Sequence, residues 1–156
     1  KKEYTGVIKL GCRTSTLDPE SEINEFKEFK DITFEELNSI KDQFIGSIDQ
    51  IPPQYSAIKY NGKPLYKYAR KNIRIDIKPK KVNIFDFKIN KYQNQNIYFT
   101  VSCGRGTYIR SIARDFGKKL GTLGYLLELQ RTKIGKFNIN NAIKIENIEE
   151  WLSTRV

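Results

Sequence analysis

Few residues in this chain could do chemistry. It contains no histidine, which excludes Ser-His-Asp triads, Cys-His dyads and histidine-based zinc sites. Its cysteines, Cys12 and Cys103, lie far apart, form no CxxC pair and cannot supply a structural zinc site alone. Acid–base or nucleophilic work must come from Asp, Glu, Lys, Arg, Tyr, Ser, Thr or Cys. Arg110, Arg114 and Lys118 recur every fourth residue, so on a helix they line one stripe. A charge run of this kind is usually a solvated face. Arg110 is less easily dismissed, because it falls in the first turn of the expected helix. There the helix macrodipole disfavours a cation by about 0.3 kcal/mol or more. A cation at that end points to a specific anionic partner.

Three further groupings each admit a chemical and a bland reading. Cys103-Gly104-Arg105-Gly106 lets the backbone turn tightly into that helix, where exposed amides could hold an anion. It lacks the GxxxxGK[ST] pattern of a P-loop, and a plain strand-to-helix turn is the favoured explanation. Residues 54–70 interleave Tyr55, Tyr60, Tyr66 and Tyr68 with Lys59, Lys63, Lys67 and Arg70. Stacking surfaces beside cations suit RNA with splayed bases; alternatively half of these tyrosines are core. Asp18, in Thr14-Ser15-Thr16-Leu17-Asp18-Pro19, needs no function beyond forming a turn before proline. It could be catalytic only if desolvated or paired.

The elements that must position these residues are legible in outline. Residues 3–11 form a strand ending at Gly11, and 12–24 a loop rich in Ser, Thr, Asp and Pro. Thr33-Phe34-Glu35-Glu36 has the capping-box pattern, and apolar residues at helical spacing predict a helix over 33–45 closed by Gly46. Ile51-Pro52-Pro53 must be extended. Strands are predicted over 54–60, 73–77, 81–89 and 96–103, with a turn at Asn61-Gly62 and a short helix from Pro64 through Arg70. Thr107 to Leu120 is the clearest helix, with Ile109, Ile112, Ala113, Phe116 and Leu120 on one apolar stripe and Gly121 ending it. Residues 124–137 are strand-like, and a final short helix covers 146–153. Helices interspersed among strands without regular alternation predict an α+β fold, a mainly antiparallel mixed sheet flanked by helices.

A chain of 156 residues suits one domain, and 38% hydrophobic against 29% charged residues is a globular balance. No apolar run approaches the roughly 18 residues of a membrane span. The net charge of +10 favours an anionic partner, nucleic acid among the candidates. The cysteine usage reads as a reduced, cytoplasmic protein. The chain starts at Lys1 and contains no methionine, which reads as a fragment or a processed chain.

In order along the chain, these segments resemble the TruB family of tRNA pseudouridine synthases. Lys2-Glu3-Tyr4 through Leu10-Gly11 resembles its K-x-Y strand ending in L-G, and Thr14-Ser15-Thr16-Leu17-Asp18 its T-x-T-x-D loop. Gln50 to Lys59, followed by Gly62 and Tyr66 to Arg70, resembles its QxPPxYSAxKxxGxxxYxxAR block. Gly106-Thr107-Tyr108-Ile109-Arg110 matches its GTYIR segment, and Leu129-Gln130-Arg131-Thr132 resembles L-R-R-T. The long proline-tyrosine block and GTYIR are the specific parts.

The resemblance implies isomerisation of a T-arm uridine in tRNA, without metal or cofactor, by a protein expected to be a monomer. Tyr4 matches the tyrosine stacking on the flipped base, and Arg110 the arginine pairing with the catalytic Asp. Leu129 matches an apolar residue near that base. Asp18, Lys59, Arg70 and Tyr108 are expected on the substrate-binding surface. Gln130 departs from the first Arg of L-R-R-T. The family's catalytic Asp lies in a G-x-L-D-P motif upstream of the K-x-Y strand, and that motif is not among these residues. Leu17-Asp18-Pro19 repeats its last three letters inside a different loop, so Asp18 is not taken as the nucleophile. Residues 1–156 are therefore expected to be part of a catalytic domain, without the nucleophile segment or a C-terminal PUA domain, and inactive alone. The competing reading is a non-catalytic RNA-binding module, resting on charge and the aromatic-basic block.

Overall fold

A computed structural model describes residues 1–154. Ten strands and four helices run in the order β1 (Lys2–Leu10), β2 (Cys12–Thr14), β3 (Ile23–Phe26), α1 (Phe34–Asp42), β4 (Gly46–Gln50), β5 (Lys59–Tyr60), β6 (Lys63–Pro64), α2 (Leu65–Ala69), β7 (Lys80–Gln93), β8 (Asn96–Cys103), α3 (Ile109–Lys119), β9 (Gly124–Ile134), β10 (Phe137–Asn138) and α4 (Ile148–Ser153). Six strands form one sheet in the order β10-β9-β1-β8-β7-β4. The α+β class holds, and every pairing in this sheet is antiparallel, so no mixed ladder is needed. β1 is central: Lys2 to Lys9 pair with β8 on one side, and Lys2 to Leu10 with β9 on the other.

One face of the sheet carries α1 and α3. The apolar stripe of α3 is buried as predicted, with Ile112, Ala113 and Phe116 at most 1% exposed. Phe44 stacks on Phe116 at 5.5 Å between centroids, and Phe87 meets both edge-on. Burying aromatics of this size supplies a large share of the hydrophobic stabilisation. α3 also lies against β9 through two glycines. A Cβ on Gly117 would stand 2.5 Å from the Gly124 nitrogen, and one on Gly124 would stand 2.6 Å from the Ala113 carbonyl oxygen. Only hydrogen side chains allow that approach.

The capping box at Thr33 and Glu36 forms in both directions. The helix it opens is shorter than predicted. After Asp42 the bonds tighten to the third residue back, at Gln43, Phe44 and Ile45, which turns Phe44 into the core. Gly46 is thus no helix cap. At φ +101° it opens β4, a sheet-edge strand that residue periodicity does not reveal.

Three other expectations change. The loop over 12–24 contains β2 and the start of β3, the two strands of a short ribbon braced by an Arg13–Glu25 ion pair; the polar residues between them hid the pairing. The strand over 54–60 shrinks to Lys59–Tyr60. Its backbone is satisfied elsewhere, with the Ser56 carbonyl accepting from Tyr66 N–H. The strand over 73–77 is absent. Instead the Gln54 side-chain amide brackets Ile75, donating to its carbonyl at 2.6 Å and accepting from its N–H at 3.2 Å. A glutamine side chain there replaces a strand partner. No described helix is long and apolar enough to cross a membrane.

The close approach of α3 to β9 makes a direct prediction. Gly117→Ala should lower unfolding free energy by about 1–3 kcal/mol, the usual range for overpacking. Chemical denaturation would measure it, and a loss under about 0.5 kcal/mol would mean that the helix shifts freely.

Candidate active site

The site is built where α3 begins. Tyr108 is its N-cap, and no side chain caps the helix there. Arg110 follows in the first turn, about three-quarters buried by its side chain. Its Nη1 donates to the Thr16 carbonyl at 2.8 Å, and its Nη2 donates to the Tyr55 carbonyl at 2.8 Å. Nη1 also stands 3.3 Å from Asp18 Oδ2. The cation that the helix dipole disfavours is thus held by two backbone dipoles and a carboxylate. A guanidinium carries five N–H donors. The two hydrogen bonds use one hydrogen on each of Nη1 and Nη2, the ion pair faces Nη1, and the Nε–H and one hydrogen of Nη2 lie outside all three contacts among the described residues.

The expected partner of Arg110, the family's catalytic Asp, is not among these residues; within them Arg110 also pairs with Asp18, a contact residue spacing did not suggest. The T-x-T-x-D loop explains how. Thr14 Oγ1 donates to the Asp18 carbonyl at 2.7 Å, and Thr16 Oγ1 donates to Asp18 Oδ1 at 2.6 Å. Glu20 N–H donates to the same Oδ1 at 3.1 Å. Leu17 takes a left-handed φ of +64°, and its carbonyl accepts from Leu126 N–H on β9. The carboxylate is therefore a fixed brace with one oxygen turned to Arg110.

The segment before Tyr55 is clamped onto the same helix. The Gln50 side chain, 2% exposed, accepts from Tyr108 N–H at 2.9 Å and donates to the Tyr108 carbonyl at 3.2 Å. Ser111 Oγ and Arg114 Nη2 both donate to the Ile51 carbonyl. Arg114 is also paired with Asp115. The basic stripe is therefore no plain solvated face: Arg110 and Arg114 are anchored, and of the three only Lys118 is exposed. Sequence reasoning gave Gln50 no role. Its signal was a polar residue at the buried end of a short strand, immediately before Ile-Pro-Pro.

Tyr4 sits on β1 opposite Val101 and Arg131, half-buried and packed against the core. Leu129, on the neighbouring strand opposite Gly6, is 46% exposed. It lines a shallow cleft of about 400 Å³ with Gly6, Phe99 and Gln130. No hydrogen bond joins Tyr4 to Arg110 among the described residues. Lys59 and Arg70 lie on the outer β5–β6–α2 segment, both exposed, with Arg70 5.1 Å over the Tyr66 ring. None of the four block tyrosines is buried. Tyr55 Oη reaches the Ala69 carbonyl, and Tyr68 Oη the Tyr60 carbonyl. A second cleft, about 370 Å³, opens between the Asp18 loop, Pro52-Pro53 and Ile73, with Arg13, Arg74 and Arg114 on its wall.

The Cys103–Gly106 turn behaves as a plain connection. Gly104 N–H donates to the Asn83 carbonyl, and Thr107 Oγ1 donates to the Gly104 carbonyl. Burial pushes the Cys103 and Cys12 thiols up from their ordinary value, so neither is a ready nucleophile. Among the described residues, no group of three or more Cys, Asp or Glu could hold a metal.

Asp18→Ala should cost about 1–3 kcal/mol of unfolding free energy, since it leaves the Glu20 N–H without its acceptor and removes the only carboxylate paired with the Arg110 charge among the described residues. Asp18→Asn should recover part of that. Equal melting of Asp18→Ala and the unmodified protein would reject the brace.

Residues 1–109 match the model of the TruB family pseudouridylate synthase N-terminal domain, and residues 110–155 that of the tRNA pseudouridylate synthase B C-terminal domain. A tRNA pseudouridine synthase B from Francisella philomiragia is 43% identical over 96% of this chain and 50% of its own length. The same-named protein of Clostridium tetani is 42% identical over 96% of this chain and 52% of its own. The chain thus spans about half the length of these curated relatives. The fold matches that in a Cbf5-Nop10-Gar1 complex, with a TM-score of 0.69 at 21% identity, over 99% of this chain and 38% of that one.

Proposed function

This chain belongs to the TruB family of pseudouridylate synthases, and from that premise we propose that the full-length protein converts a T-arm uridine of tRNA to pseudouridine. In this reaction the N1–C1′ bond of the uridine breaks, the base rotates, and C5 bonds to C1′. The C5 proton is lost and N1 takes one up, so the product is an isomer. No metal or cofactor takes part in this reading. The target atom is out of reach in a stacked loop, so the base is flipped out of the RNA.

The observation that carries the reading is the half-used guanidinium of Arg110. Its two remaining donors sit on adjacent nitrogens, the number a second carboxylate takes in a bidentate pair. The family's catalytic aspartate, from a G-x-L-D-P segment, is the proposed occupant. Asp18 and the two carbonyls fix the guanidinium before substrate arrives, which lowers the reorganisation needed at the moment of reaction. Tyr4 is the proposed stacking partner of the flipped base, and Leu129 the apolar wall beside it. Tyr108, Lys59 and Arg70 contact the RNA around it. With Asp18 acting through Arg110, the 156 residues form part of one catalytic domain.

In the full-length protein, Arg110→Ala should slow release of hydrogen from uridine C5 by at least about a thousand-fold, the upper range for removing one preorganised donor. Arg110→Lys should restore little, because a point charge lacks the fork. tRNA binding should stay within a few-fold of normal for both. Near-normal turnover in Arg110→Ala would reject the role given to this residue.

A further inference from the structure

The Tyr108 peptide groups decide where Arg110 points, because they lie two residues before it at the helix start. The Tyr108 carbonyl is shared: it accepts from Ser111 N–H and Ile112 N–H within the helix, and from Gln50 Nε2. The Tyr108 N–H has a single partner among the described residues, Gln50 Oε1 at 2.9 Å. Gln50 ends β4, whose register places it opposite Lys80 at the sheet edge. One buried side chain thus ties the edge strand to the cap of α3, across 58 residues of sequence. The next residue, Ile51, is tied to α3 through Ser111 and Arg114, and Tyr55 through Arg110 itself.

We propose that Gln50 is a positioning residue for the reaction: its side-chain amide, bonded in both directions to the Tyr108 backbone, sets the first turn of α3 and so aims Arg110. The inference rests on the activity proposed above. A buried side chain that only filled space would not need both a donor and an acceptor. An amide of this shape is the side chain that offers both to one peptide unit without a charge. Removing it leaves the Tyr108 N–H unpaired, and the helix start can then settle elsewhere. A displacement of about 1 Å at a catalytic group can cost about a hundred-fold in rate.

The test uses the full-length protein with tRNA, comparing Gln50→Leu, Gln50→Ala and Gln50→Glu. Gln50→Leu keeps the volume and removes both bonds; its kcat should fall about 10- to 100-fold, with KM and tRNA binding nearly unchanged. Gln50→Glu adds a signature that packing alone would not produce. Its protonated carboxyl both accepts and donates, as the amide does; its ionised form cannot donate. Its kcat should therefore rise as the pH falls, while the unmodified protein shows no such limb. That pH limb still decides the matter if Gln50→Ala or Gln50→Leu fails to fold. The inference is overturned if folded Gln50→Leu keeps kcat within about three-fold, or if Gln50→Glu has the pH profile of the unmodified protein. If Arg110→Ala is inactive while Gln50→Leu is not, this inference alone fails. If neither variant loses turnover, the role given to Arg110 fails first; if the unmodified full-length protein converts no uridine, the proposed activity fails.

Discussion

A cation stands where a helix least favours one, and the surrounding structure is organised to keep it there. Arg110 lies in the first turn of α3, against the positive end of the helix. Two carbonyls and one carboxylate offset that disadvantage. They come from parts of the chain far apart in sequence, the loop at 14–18 and the segment at 50–55. Neither part forms regular structure at the contact. Each is held by side chains: threonines around Asp18, and Gln50 together with Ser111 and Arg114 of α3 for the segment at 50–55. The six-stranded sheet supplies the rigid floor, and the two facing glycines bring α3 close enough to β9 for the loops to meet over its start.

A cation fixed in this way is useful because it is unfinished. Its contacts hold it in orientation and still leave two donors on neighbouring nitrogens. A guanidinium fully satisfied within the protein would be a structural ion pair, of little value to an incoming group. An unanchored one would have to be ordered at each turnover. The arrangement found here lies between the two. Asp18 is committed to its loop and to Arg110.

The parts of the fold with a strong period are legible in the sequence. α3 and its apolar stripe, the capping box of α1, and β1 and β8 all follow from residue spacing. What spacing misses lies where side chains take over backbone pairing. The Gln54 amide stands in for a strand partner at Ile75, so a segment rich in isoleucine reads as a strand and is none. Gln50 does the same for Tyr108, and no periodicity reveals it. The ribbon β2–β3 is hidden because its strands are only three and four residues long, too short to show a period. The helix α1 falls short of its prediction because Phe44 and Ile45 keep helical spacing while their bonds have already tightened. At the site, the awkward place of Arg110 follows from residue spacing alone, and so does the need for an anion. That Asp18 answers part of that need depends on how the 14–18 loop folds, which spacing does not encode.

The central claim is that this scaffold aims Arg110 for chemistry on a uridine. Chemical mapping of pseudouridine in unmodified tRNA, after incubation with the full-length protein and no added metal or cofactor, tests it most directly. Conversion of one uridine in the T-arm, with the remaining uridines untouched, is the predicted result. Tight binding of that tRNA with no uridine converted would contradict the account and leave a binding module in its place.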